Sequence, residues 1–209
     1  MKTLLFKFAT LCSLLVLYGV AHATTIHFTT ILSGSNEIPA NASIGTGTGD
    51  VYYDDVLHTL QVNLTWADLS GTTTASHMHA PSTAAQISSA LPFNGSWGVA
   101  TQPGTFTGFP TGTTSGSYSG AAYSLLNISN YTAGFVTANG GTAASAEAAL
   151  LSYMLSGEAY LNIHTTAFPG GEIKGYLTVP DNASTAGMLT MVLCTLLVLP
   201  AFKKYRAFP

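Results

Sequence analysis

Two apolar runs without a charged residue, one near each end of the chain, confine any folded body to the middle. Leu11–Val20 follows a start carrying Lys2 and Lys7, and it ends at Ala21-His22-Ala23. A positive start, a short apolar run and a small-x-small site are the three parts of a secretory signal peptide. Residues 1–23 are therefore expected to leave by cleavage after Ala23, through signal peptidase. The second run, 186–202, precedes a basic end with Lys203, Lys204 and Arg206. At 17 residues it sits at the lower limit for a membrane-crossing helix. Lysine and arginine prefer the cytoplasmic side, which leaves the body on the far side, as the signal peptide also requires.

The mean hydropathy of +0.34 with only 7% charged residues suggests a membrane protein until the ends are removed. Between Thr24 and Pro180 one lysine, Lys174, stands against eight acids: Glu37, Asp50, Asp54, Asp55, Asp68, Glu147, Glu158 and Glu172. That is a net charge of −7 with histidine neutral. Such a surface repels phosphate backbones, which excludes nucleic acid as a partner, and it disfavours anionic lipid. Both cysteines, Cys12 and Cys194, lie in the terminal runs, so the body has no disulfide and depends on a packed core.

The body reads as short strands parted by Gly-rich turns. Leu60, Val62, Leu64 and Trp66 alternate with Gln61, Asn63 and Thr65, the period of a strand with one buried face. Further strands are expected at Thr24–Leu32, around Val51–Tyr53, at Thr72–Ala80 and in a final hairpin, Glu158–Thr165 with Glu172–Val179. One helix is expected over Ala143–Leu155, stopped by Gly157. Residues 82–142 are Gly-, Thr- and Ser-rich with scattered aromatics. They read as two or three irregular strands with long loops, not as a disordered linker. The fold class is all-β, an antiparallel β-sandwich-like domain with one short helix, flanked by two terminal apolar helices.

Strand parity assembles one group of residues that could carry chemistry. In the final hairpin, Ala159, Leu161 and Ile163 share a face with Ile173 and Leu177. Tyr160, Asn162 and His164 share the other with Glu172, Lys174 and Tyr176. A symmetrical loop sets His164 opposite Glu172, Asn162 opposite Lys174, and Tyr160 opposite Tyr176. His77 and His79 are two apart on a strand, so both point one way and Met78 the other. His77, His79, His164 and Glu172 together would suit zinc, copper or iron. The same residues also suit a structural polar network in which Glu172 holds His164. His27 and His58 have no partner visible in sequence and read as surface residues. No Gly-x-Ser-x-Gly elbow or other nucleophilic set is present, and Asp54-Asp55 reads as turn chemistry, so no catalytic residue is assigned.

Ordered pieces along the body resemble the CHRD domain, the family named for chordin. They are Leu32-Ser33-Gly34-Ser35-Asn36-Glu37-Ile38-Pro39, Gly45-Thr46-Gly47-Thr48-Gly49, Trp66-Ala67-Asp68-Leu69-Ser70-Gly71, His77-Met78-His79, Tyr160-Leu161-Asn162-Ile163-His164-Thr165 and Pro169-Gly170-Gly171-Glu172-Ile173-Lys174-Gly175. The resemblance covers about 26–178 and sets a domain at 24–178. It implies a β-sandwich-like module on secreted or surface proteins, and no reaction. The tail at 179–209 resembles the PEP-CTERM class of bacterial sorting signals in its Val-Pro-Asp variant: a motif region 179–185 opened by Val179-Pro180-Asp181, an apolar helix 186–202 and a basic end 203–209. That resemblance implies processing near the motif by an exosortase-type enzyme, membrane attachment through the helix before processing, and a final place at the cell surface or outside the cell. Together these readings describe an exported, non-enzymatic binding or matrix module with an unknown extracellular ligand. The alternative is a zinc or copper protein, possibly redox-active, built on the three histidines and Glu172.

Overall fold

The computed structural model describes residues 25–87 and 96–180. The leader 1–23, its site at Ala23, Asp181 and the apolar helix 186–202 expected from sequence lie outside the described residues. Among the described residues, no helix is long and apolar enough to cross a membrane.

Among the described residues nine antiparallel strands form one sheet: β1 (Thr25–Ser33), β2 (Thr46–Asp54), β3 (Thr59–Ala67), β4 (Thr73–Ala80), β5 (Gly98–Thr101), β6 (Gly116–Ser119), β7 (Tyr123–Ser124), β8 (Tyr160–Thr165) and β9 (Ile173–Tyr176). Their spatial order is β5-β4-β8-β9-β1-β2-β3-β6, with β7 also on β3. The all-β class holds. Among the described residues three α-helices accompany the sheet where sequence indicates one within the domain: α1 (Ala84–Ile87), α2 (Ala133–Ala138) and α3 (Ala143–Ser156). The expected helix is α3. Its first turn is closed by a reciprocal cap, in which Thr142 Oγ1 accepts from Ser145 N and Ser145 Oγ accepts from Thr142 N, both at 3.1 Å. Gly157, at φ +74°, ends it in the left-handed conformation that glycine adopts without strain.

Alternation places the core. Leu60, Val62, Leu64 and Trp66 of β3 are buried, as are Phe28 and Leu32 of β1 and Val51 and Tyr53 of β2. The glycine run is strand from Thr46 on, not only a lead-in: Gly47 and Gly49 face inward while Thr46 and Thr48 face water. This pattern lets the sheet curl. A Cβ on Gly49 would lie 2.9 Å from Leu161 of β8 and 3.1 Å from Leu64 of β3. Since β8 and β2 are separated by two strands along the sheet, only a residue without a side chain lets them close over a shared core.

The segment that sequence leaves least defined completes the closure. From β5 the chain runs along the uncovered half of β4, with Phe106 N donating to Ser76 O and Thr73 N to Thr113 O. It then pairs β6 with β3. Phe106, Phe109 and Tyr118 of this stretch are buried, and Trp66 packs on Phe109 with ring centroids 5.1 Å apart. Burying large aromatic rings is worth about 1.5–3 kcal/mol each, which outweighs the ordering of a loop rich in glycine and threonine.

Candidate functional site

β4 presents His77 and His79 to one side while Met78 points into the core. β8 lies beside β4, with His77 opposite Asn162 and His79 opposite Tyr160. His164, two residues beyond Asn162, is thus diagonal to His77. The three imidazoles meet: ring centroids are 4.8 Å apart for His77–His164, 5.6 Å for His77–His79 and 6.3 Å for His79–His164. One nitrogen from each falls in a group whose members all lie within 4.8 Å of one another.

Backbone carbonyls decide which nitrogen of each ring carries the proton. His77 Nε2 donates to Gly104 O at 2.9 Å, His79 Nδ1 to Trp97 O at 2.8 Å and His164 Nδ1 to Pro169 O at 2.8 Å. A carbonyl only accepts, so each bond fixes the proton on the nitrogen that makes it. The lone pairs therefore sit on His77 Nδ1, His79 Nε2 and His164 Nε2. The first two are buried without a hydrogen-bond partner. The third accepts from Asn162 Nδ2 at 3.0 Å. Two orphaned acceptors under cover are costly unless something with positive charge or a donor meets them.

Charge is discouraged on all three rings. Burial lowers the His79 pKa to about 4, against the opposing bond to Trp97 O, and His77 and His164 add to the lowering. Burial likewise lowers His77 and His164. At neutral pH the rings are neutral, the form that ligates metal. Donors around a tetrahedral ion at 2.0–2.1 Å stand about 3.3 Å apart, so the present spacing closes onto an ion with side-chain shifts of about an ångström.

Glu172, grouped with these histidines by parity, is not among them. Gly171 at φ +131° turns the chain, and Glu172 lies in a bend ahead of β9, where strand alternation does not apply. Its buried carboxylate accepts from Ser43 Oγ and Ser70 N at 2.6 and 2.5 Å, and from Thr165 Oγ1 and Gly71 N at 2.6 and 3.3 Å. Burial pushes its pKa up, but the bonds from Ser43, Thr165, Ser70 and Gly71 outweigh it and hold the carboxyl below its ordinary value. It knots three loops together. The rest of the expected register stands, with Asn162 opposite Lys174 and Tyr160 opposite Tyr176.

The chain carries a match to the CHRD domain over residues 28–177, most of its length. It belongs to the CHRD domain family. No curated protein and no solved structure shows significant similarity to it.

Within the CHRD domain, further groups surround the histidines, some on the face that parity indicates and some invisible in sequence. Tyr160 stacks on His79, with centroids 4.8 Å apart and planes at 7°, and Lys174 Nζ lies 4.6 Å from the same ring's centroid. Lys174 is fully buried, with its pKa lowered by burial and supported by Glu37. The carbonyls of Gly104, Trp97 and Pro169 come from loops, and a backbone acceptor leaves no trace in residue identity. His27 and His58 are not unpartnered: His27 Nε2 meets Asp50 Oδ1 at 2.7 Å and stacks on Tyr52, while His58 Nδ1 meets Glu147 Oε1 at 2.9 Å.

Proposed function

We propose that this chain is an exported, non-enzymatic CHRD binding module whose ligand is a transition-metal ion, zinc or copper, held by His77, His79 and His164. One observation carries the reading: three imidazoles, each giving its only N–H to a backbone carbonyl, bring one nitrogen apiece within 4.8 Å of one another, and the acceptor nitrogens of His77 and His79 are buried without a partner. Ligating histidines in proteins are characteristically oriented by such an acceptor on the far nitrogen, which fixes the tautomer and raises basicity. All-nitrogen donors suit zinc and copper better than magnesium or calcium.

Export rests on the sequence at either end. In this reading signal peptidase cuts after Ala23, the 186–202 segment holds the chain at the envelope, and an exosortase-type enzyme acts near Val179-Pro180-Asp181. The domain then stays at the cell surface or outside the cell.

Metal analysis of the purified protein after reconstitution with zinc and copper tests the ligand. We expect about one ion per chain, lost in His77→Ala/His164→Ala. Equal metal in both removes the proposal. Fractionating cells that express the chain with and without 179–209 tests the address, and identical distributions refute it.

A further inference from the structure

The sheet register gathers exposed apolar side chains at one end of the domain. Thr25, which opens β1, pairs with Asp54, the last residue of β2, and Thr59 at the start of β3 pairs with Ser124 of β7. Val56 and Leu57 occupy the turn beyond β2, and Leu126 and Ile128 follow β7 past the same edge. They are 52%, 67%, 54% and 49% exposed. Asp54 Oδ1 accepts from the backbone N–H groups of Val56 and Leu57, at 2.9 and 2.7 Å, which holds this turn in shape. Leu125 N donates to His58 O at 2.7 Å and ties the two segments into one surface.

The chain leaves the domain toward this end. Thr178 exchanges backbone hydrogen bonds with Thr29 on the antiparallel β1, so continuing that register brings Pro180 level with His27, two residues short of Thr25. The uncharged apolar run starts at Ala186. The six steps from Pro180 to Ala186 reach at most about 21 Å, and the two steps of β1 from His27 to Thr25 account for about 7 Å of that. A domain standing on its tether therefore has this end within about 14 Å of the layer that receives the apolar run.

We propose that the Val56, Leu57, Leu126 and Ile128 surface seats on the lipid bilayer while the chain is held by its 186–202 segment. This rests on the membrane-attachment part of the reading above. The acids Asp54 and Asp55 in the turn fit a zwitterionic surface better than an anionic one. The other occupant, the chain's own 186–202 run, is less suited: it is apolar on every side, and four side chains would cover one stripe of it. The same register sets the histidine site far from the membrane. His77 is aligned through Asn162 and Lys174 with Ser33, eight residues along β1 from Thr25 and about 26 Å away. The seated domain presents its metal site to the exterior.

The test uses the full chain carrying Leu57→Trp in phosphatidylcholine vesicles brominated along the acyl chains. The native Trp66 and Trp97 are buried and supply a shielded background. The expected result is flotation with the vesicles, a blue-shifted added indole and at least twofold quenching of the emission that Leu57→Trp adds, which Val56→Ser/Leu126→Ser/Ile128→Ser abolishes. Flotation without quenching overturns the seating and leaves the anchor standing. Failure to float overturns both. A shielded indole without vesicles gives the surface to the chain's own tail and also overturns the proposal.

Discussion

Replacing Glu172 by glutamine separates a carboxylate that serves the fold from one that serves a metal. Glutamine keeps the volume, so no cavity enters the comparison. Two of the four donors, Ser70 N and Gly71 N, are backbone groups that cannot reverse, whereas the Ser43 and Thr165 hydroxyls can. The amide nitrogen must face one backbone N–H, and the lesser harm is at Oε2, where the Gly71 bond is the longer one. One bond is lost, and those remaining lose their charge assistance, each charged hydrogen bond being worth about 1.5–3 kcal/mol. We expect Glu172→Gln to cost about 3 kcal/mol, equivalent to a Tm lower by about 6–12 °C for a domain of this size. Urea unfolding of the metal-free protein at neutral pH measures the loss, and a zinc titration of the same variant is expected to match the parent. A stability change below about 0.5 kcal/mol together with an affinity about tenfold weaker would refute the assignment and return Glu172 to the metal.

Acidification is expected to destabilise the metal-free domain between about pH 6.5 and 4, because the unfolded chain binds protons on histidines that the folded one keeps neutral. His79, lowered to about 4, contributes on the order of 3 kcal/mol across that window, with His77 and His164 adding in the same direction. Urea midpoints that stay level from pH 7 to 5 would contradict this. Glu172, held low, extends the loss to more acid pH, where its carboxyl takes up a proton. Gly49→Ala is expected to cost about 1–3 kcal/mol by pressing on Leu161, Thr30 and Leu64, whereas Thr48→Ala on the outer face, losing one exposed hydroxyl contact, costs less than about 1 kcal/mol. Equal melting temperatures for the two variants would show that the sheet does not close over Gly49.

Much of this fold is legible in sequence where period alone decides. Leu60 to Trp66 announce their buried face, and the hairpin parity correctly sets Asn162 against Lys174, because a slip of one residue would bury the wrong set. His77 and His79 share a face for the same reason, but their meeting with His164 depends on β4 lying beside β8, which no local pattern states. Glu172 marks the limit of parity. One left-handed glycine ahead of β9 turns its carboxylate toward Ser43, Ser70, Gly71 and Thr165. The stretch 98–131 is obscure in sequence because its order comes from long-range pairing with β3 and β4, while its own residues favour turns. The carbonyls that orient the histidines are equally invisible, being backbone.

X-ray absorption of the zinc- or copper-loaded protein tests the metal site most directly. The expected first shell has three imidazole nitrogens at about 2.0–2.1 Å, with the outer-shell signal of the rings, unchanged in Glu172→Gln and lost in His77→Ala/His164→Ala. A shell of oxygen donors, or one that survives loss of the two histidines, would contradict it.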